Sequence, residues 1–394
     1  MSWPVVELSE VCSRVSVGHV GKTSEYYTDE TGIPFLRTQN VSKTGLNMSD
    51  VLYVTHEFHE KLKKSQLFPG DVVLSRVISS QINCAVIPNG FGVANCANII
   101  LVRPDAAKLD SEFLNYYLKS EIAQRNLMKR QVGSAQSVVN TSVLKSWEIP
   151  LPPLNEQKRI AAILDKADAI RRKRQQAINL ADDFLRSVFL DMFGDPVTNP
   201  KGWDVGKFFD ISMLNPKAEK YDDELPVSFV PMPSVSEKSH ILDPSDIRDY
   251  SAVKKGFTAF IENDVLFAKI TPCMENGKAA IATNLKNGIG FGSTEFHVFR
   301  PQNMDYAPFI YSLLHLPLFR KIAANNFSGA VGHKRVPKDF LSSFKLILPP
   351  EHLVIKFKNI FETVNESKSK FDSNVEDGEQ LFNSLSQKAF AGEL

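Results

Sequence analysis

Between Asn155 and Met192 lies a stretch whose pattern admits little other than one long helix. Pro152-Pro153 precedes it and Gly194-Asp195-Pro196 closes it, the punctuation of a helix with a firm start and stop. Alternating steps of three and four residues from Ile160 reach Ile163, Ala167, Ile170, Arg174, Ala177, Ala181, Phe184 and Val188, an apolar seam broken at Arg174. At 1.5 Å per residue such a helix is about 57 Å long. That is too long for a mere link between neighbouring domains, so something must pack along it.

The partner lies at the other end of the chain. After Pro349-Pro350, the same spacing runs through Leu353, Phe357, Ile360, Val364, Ser367, Phe371, Asn374, Gly378, Leu381 and Leu385. Two runs of matching length, each entered through a Pro-Pro pair, predict an antiparallel coiled coil. Its pairing residues are Ile160, Ile163, Ile170, Phe184 and Val188 on one helix and Phe357, Ile360, Val364, Phe371, Leu381 and Leu385 on the other.

Self-comparison explains why there are two such helices. Trp3-Pro-Val answers to Trp203-Asp-Val. Gly70-Asp-Val-Val-Leu-Ser-Arg76 answers to Asn263-Asp-Val-Leu-Phe-Ala-Lys269, and Leu101-Val-Arg-Pro104 to Val298-Phe-Arg-Pro301. The segment from Leu144 to Pro153 matches that from Leu341 to Pro350. A near-constant offset at four places is a duplication. The reading is an α+β fold in four parts: a globular domain at 1–150, a long helix at 151–196, a second globular domain at 197–348 and a second long helix at 349–394. Short β-rich runs such as Val72 to Val77, Ile99 to Val102, Val265 to Ile270 and Phe296 to Phe299 predict a twisted, mostly antiparallel sheet in each globular part. A helical piece follows each, around Ser111 to Arg130 and Tyr306 to Asn325. Antiparallel long helices would set the two globular parts at opposite ends of a spacer longer than one turn of B-DNA, about 34 Å.

The 394 residues, 43% of them hydrophobic, suffice for real cores. No run approaches 18 consecutive apolar residues, and Met1-Ser2-Trp3-Pro4 has neither the basic start nor the apolar run of a signal peptide. Cys12, Cys84, Cys96 and Cys273 show no CxxC spacing, which suits a reducing compartment. The expectation is a soluble, cytosolic protein with no membrane partner. The formal net charge is +1, so any nucleic-acid surface must be made of local patches.

Catalytic signatures are missing. Neither GxxxxGK[ST] nor a strand followed by G-x-G-x-x-G occurs, and the Pro-Pro pairs follow Leu151 and Leu348 rather than the Asn or Asp of an amino-methyltransferase. His56-x-x-His59, among Glu57, Glu60 and Lys61, reads as a solvated turn rather than a metal site. The two copies agree at turn and core positions and differ in polar loops: Arg37-Thr38-Gln39-Asn40 faces roughly Met232-Pro233-Ser234-Val235, and Ser134 to Ser137 faces Val331 to Lys334. A duplicated catalyst would keep its reactive set, whereas a duplicated reader can diverge at its reading residues.

Base edges and phosphates are contacted by Arg, Lys, Asn, Gln and His in exposed loops. The first copy offers Arg37, Gln39, Asn40, Lys43, Arg76, Gln81, Arg130 and Gln136. The second offers Lys238, Lys269, Asn276, Lys278, His333, Lys334 and Arg335. The densest basic run, Arg171-Arg172-Lys173-Arg174, is either the solvated face of the long helix or a line of phosphate contacts.

At three places the chain resembles the specificity subunits of type I restriction-modification systems. These are Ile149-Pro-Leu-Pro-Pro-Leu-Asn-Glu-Gln157 running into Arg159-Ile-Ala-Ala-Ile-Leu-Asp165, then Phe189-Leu-Asp-Met-Phe-Gly-Asp-Pro196, and the ending Leu385-Ser-Gln-Lys-Ala-Phe-Ala-Gly-Glu-Leu394. The second copy departs from the pattern, with Glu351-His352-Leu353 where the first has Asn155-Glu156-Gln157. The resemblance implies a non-catalytic subunit whose globular parts are target-recognition domains, each reading one half of a split, asymmetric double-stranded DNA sequence. It implies docking of methyltransferase subunits, one per half, and of restriction-translocase subunits. S-adenosylmethionine, ATP and magnesium would then bind those partners, leaving this chain without a cofactor or metal.

Overall fold

Both long helices form, as Leu154–Phe193 and Glu351–Ala391, in a computed structural model that describes residues 3–78, 82–130, 137–138, 140–329 and 334–394, without the side chains of residues 77–78, 127–130, 137–138 and 371–379. Each helix is shared between two compact units. One comprises Met1–Gln175 with Ser373–Leu394, the other Gln176–Asp372.

Within each unit the start of one helix lies against the end of the other. In the first unit Ile160, Ala161 and Leu164 share a core with Ala389 and Phe390, and Leu385 packs at its margin. In the second, Phe189 and Phe193 meet Phe357 at ring-centroid distances of 5.3 and 5.5 Å, with Phe309 of a globular-domain helix 5.4 and 5.1 Å away. Each of these fully buried rings stabilises by about 2 kcal/mol through area alone. Val188, Ile360 and Val364 border the same core.

The buried stripe departs from the heptad expectation. On the first helix it runs Ile160, Leu164, Ile178, Leu185, Phe189, while Ile170 and Phe184 are each 52% exposed and, on the second helix, Leu381 is 59% exposed. Eight steps from Ile160 to Phe189 cover 29 residues, about 3.6 per step. A straight helix drifts by roughly 20° per heptad from a 3.5-residue repeat, so over four heptads the buried face moves by nearly one residue. Ile163 is half-buried, and the side chain of Phe371 lies outside the described residues.

The duplication is visible in the strand order. The first unit has an antiparallel sheet ordered Cys84–Val86, Val72–Ser75, Ile99–Pro104, Cys12–Val17. The second repeats it as Ala279–Ile281, Val265–Ala268, Phe296–Pro301, Ser212–Leu214. Each unit adds a second sheet with one parallel pair, Ile33–Leu36 beside Ala94–Cys96 and Pro226–Val230 beside Ile289–Gly292. In the latter, Gly290 lies under the Phe260 ring, whose nearest carbon would be 2.1 Å from an added Cβ, so a side chain there would displace the ring.

Two further repeats stitch each unit internally. The Trp3 indole donates to the Ala389 carbonyl at 3.2 Å and the Trp203 indole to the Phe193 carbonyl at 2.9 Å, each tying the start of a globular part to the end of a long helix. Arg103 grips buried Asp71 with bonds of 2.7 and 2.8 Å, and Arg300 grips buried Asp264 with bonds of 3.0 and 2.9 Å. The same aspartates accept from the Phe68 and Ile261 amides.

Each predicted helical piece is two helices, Ser111–Lys119 then Glu121–Arg130, and Tyr306–His315 then Pro317–Asn325. Leu316 is extended because it precedes Pro317. Ser120 breaks the first pair and caps the helix that follows, its Oγ accepting from the Ala123 amide at 3.2 Å.

Candidate nucleic-acid interface

In the second unit the strand Val265–Ala268 is buried along its whole length and delivers Lys269 at its end. There the backbone is stitched on both sides: Lys269 N–H donates to the Glu295 carbonyl at 2.9 Å, and the Lys269 carbonyl accepts from Val336 N–H at 2.9 Å. Ser328 and Arg335 exchange backbone bonds of 3.0 and 2.9 Å, and Thr271 N–H donates to the Lys334 carbonyl at 3.1 Å. Lys269, Lys334 and Arg335 are thereby brought together. Lys278 joins them through its carbonyl, which accepts from Ala268 N–H, while its ammonium donates to the Met232 carbonyl at 3.2 Å. Asn276 binds Glu237 at 2.9 Å, next to exposed Lys238.

Two residues not flagged by sequence reasoning organise this cluster. Glu295 takes Arg335 in a two-point contact, Nε and Nη2 each 2.8 Å from a carboxylate oxygen. That hydrogen bond holds the Glu295 carboxyl below its usual range despite partial burial. Buried His297 spans Asn215 at 3.0 Å and the Val336 carbonyl at 2.8 Å. Since a carbonyl only accepts, Nε2 carries the proton and Nδ1 accepts from the Asn215 amide. Burial pulls the imidazole down to about 4, against the opposing pull of the Val336 bond, so it is neutral near pH 7 and serves as a fixed strut. Its signal in the sequence was faint: His297 stands where the matching strand of the first copy carries Ile100.

The first unit delivers Arg76 at the end of Val72–Ser75, the counterpart of Lys269. Its Nε is buried and has no hydrogen-bond partner among the described residues. Strand Val77–Ile78 then pairs with Ser137–Val138, as Ile270 bridges Arg335 in the second unit. Arg37, Gln39 and Asn40 lie on a loop gathered around Asp50, which accepts from Arg37 and Gln39. Asn40 belongs to the frame of that loop and not to its surface. It is buried, its Oδ1 accepting from Arg37 N–H at 2.9 Å and its amide donating to the Asn47 and Asp50 carbonyls at 2.9 and 3.2 Å. Lys43 sits between strands Val41–Ser42 and Gly45–Leu46, facing a cavity shared with Lys119, Asp168, Arg171 and Phe382. Gln81, Gln136 and His333 lie outside the described residues, as does the side chain of Arg130.

One other expectation is revised, and one pair of readings is narrowed. His59 is no solvated turn: it is buried and meets the Asn95 amide at 3.3 Å. In the basic run, Arg171 and Arg172 spend their charge on Asp168, at 2.7 and 3.1 Å, and Arg172 also reaches Asp165 at 3.7 Å, so at least half of it is a helix face neutralised by its own carboxylates. Among the described residues no group of three or more His, Cys, Asp and Glu side chains is placed to hold a metal ion, and no helix is long and apolar enough to cross a membrane. Clustered guanidinium and ammonium donors at the ends of rigid strands suit acceptor-rich ligands such as phosphates and base edges.

A family model described as the type I restriction modification DNA specificity domain matches residues 2–180 and 200–353. The type I restriction enzyme EcoAI specificity subunit of Escherichia coli is 37% identical over 196 residues, which cover 48% of this chain and 33% of that protein. The EcoEI specificity subunit of the same species is 35% identical over 199 residues, covering 49% and 31%. The chain thus spans about a third of the length of these two relatives. The MjaIX specificity subunit of Methanocaldococcus jannaschii is 22% identical over 311 residues, covering 72% and 69%. Among solved structures, the type I restriction-modification S subunit from M. genitalium superposes with a TM-score of 0.59 over 99% of this chain and 96% of that one, at 14% identity. That likeness is one of fold.

Proposed function

The chain belongs to the type I restriction modification DNA specificity family, and from that membership we propose that it is the sequence-reading subunit of such a complex, each unit reading one part of a bipartite, asymmetric double-stranded DNA target. The observation that carries this reading is the contrast inside the duplication. The frames repeat, down to the Asp71–Arg103 and Asp264–Arg300 pairs, while the cations differ, Arg76 at the strand end in one unit and, in the other, Lys269 at the strand end with Lys334 and Arg335 on the loop bridged to it. Two equal frames with unequal tips are what two different half-sites require.

On this reading residues 1–150 and 197–348 are target-recognition domains, and 151–196 and 349–394 are the helical regions that set their spacing. The apolar side chains left exposed on the helices, Ile170, Leu180, Phe184 and Leu381, supply surface for two methyltransferase subunits, to which restriction-translocase subunits are added. S-adenosylmethionine, ATP and magnesium serve those partners in the cytoplasm, and this chain performs no chemistry of its own.

Mapping methyladenine across the host genome with the gene intact and deleted tests the proposal. A two-part motif that loses methylation on deletion supports it and names the target; unchanged methylation at every motif refutes it. At residue level, Arg76→Ala and Lys269→Ala should each weaken binding of target DNA about tenfold, the effect of one lost cation contact, with unfolding midpoints unmoved. Unaltered affinity in a titration removes that residue from the contact set.

A further inference from the structure

We propose that Glu295 is a positioning residue for base discrimination by the second unit: it presents the Arg335 guanidinium in one orientation and sets a carboxylate among cations that would otherwise take any phosphate. The inference rests on the specificity reading and adds to it a residue whose charge is opposite to that expected at a DNA surface.

The backbone around Arg335 does not need the ion pair. Val336 N–H is bonded to Lys269, the Val336 carbonyl to His297, and Arg335 exchanges both backbone bonds with Ser328. What the two-point contact adds is the direction of a long side chain that is still 42% exposed, held by a carboxylate that is 23% exposed. A guanidinium fork matches a carboxylate in a single plane. Ordering it in advance removes the rotamer entropy that DNA binding would otherwise cost.

The second effect is electrostatic. Lys269, Lys334 and Arg335 near one strand end attract a polyanion whatever its sequence. A carboxylate in their midst repels phosphate oxygens, which raises the free energy of sequence-indifferent binding more than that of a complex in which Arg335 meets a base edge. Specificity is the ratio of the two.

Among the described residues the first unit shows no such device. Glu295 directly precedes Phe296–Pro301 as Asn98 directly precedes Ile99–Pro104, and Arg335 bridges Ile270 as Val138 pairs with Val77. Asn98 and Val138 cannot form an ion pair, so the effect of Glu295 is confined to one half-site and the other half-site serves as its control.

The test uses the full chain in complex with its methyltransferase partner. Sequences are selected from random duplex DNA, and the affinity ratio of target to random DNA is measured for wild type, Glu295→Gln and Glu295→Asp. Glu295→Gln should lower that ratio about tenfold, chiefly by tighter binding of random DNA, and flatten base preference in the second half-site alone. The thermal midpoint should stay put, and Glu295→Asp should restore part of the preference. Full second-half preference in Glu295→Gln overturns the inference, and so does equal loss in both halves. A wild-type complex with no bipartite preference overturns the specificity reading itself, an outcome distinct from either.

Discussion

Replacing Gln157 with valine should lower the unfolding free energy of the first unit by about 4 kcal/mol, seen as a fall of about 10 °C in its thermal transition. Gln157 is fully buried where the first long helix meets the globular domain. Its amide nitrogen donates to the carbonyls of Lys108 and Pro152 at 2.9 and 2.8 Å, and its oxygen accepts from Asp110 N–H at 2.8 Å. Valine would leave three main-chain groups without partners, each costing about 1–3 kcal/mol when buried. Counted from the Pro-Pro pairs, Gln157 answers to Val354, one residue beyond the Glu351-His352-Leu353 set against Asn155-Glu156-Gln157, so valine is also the residue the second unit uses, and it is buried. It succeeds there because the amide at the place of Asp110 N–H, that of Ala307, is already bonded to the Met304 carbonyl at 3.1 Å. The Asn155-Glu156-Gln157 departure between the copies is thus explained in part by internal bonding. Calorimetry showing an unmoved transition would mean that water or a loop shift replaces all three bonds.

Arg300→Met should cost the second unit about 3 kcal/mol near pH 7, because it strands a buried carboxylate. Burial already pushes the Asp264 carboxyl above its ordinary value, even against the Arg300 hydrogen bonds that pull it down. Without the guanidinium it rises further. A carboxyl whose folded value lies above its unfolded value contributes stability that is present below the unfolded value, near 3.8, and lost as pH rises through the folded value. The deficit of Arg300→Met should therefore shrink as pH is lowered from 7.5 towards 5. Asp264→Asn should be milder, about 1–2 kcal/mol, since the amide oxygen still accepts from Ile261 N–H and Arg300 keeps access to water. Denaturant titrations at several pH values decide this; a deficit for Arg300→Met that does not vary with pH would show that the carboxylate finds another partner.

Much of the frame was legible in the residues. The repeats at Asp71-Val and Asp264-Val, and at Arg103-Pro and Arg300-Pro, marked equivalent places in the two copies, and the strand order bears the duplication out. What could not be seen is that those motifs recur because each aspartate grips an arginine about 32 or 36 residues further on. The heptad seam holds only in part, for a similar reason. Local steps of three and four fit both 3.5 and 3.6 residues per turn, and the difference accumulates only over the whole helix, leaving Ile170 and Phe184 exposed and Leu185 and Phe189 buried.

The polar candidates divide along the same line. That Arg76 and Lys269 sit at strand ends follows from the ends of apolar runs and the turns after them. That Asn40 is spent inside its loop, that His59 is buried, and that Glu295 stands against Arg335 does not. By itself the sequence determined what is local or periodic: the two long helices, the twofold repeat, the strands and the loops that differ between copies. The tertiary structure alone decided which polar groups are consumed within the fold and which face outwards. A buried hydrogen bond takes its partner from wherever the chain returns, 47 residues away for Gln157 and Asp110, and no local pattern encodes that distance.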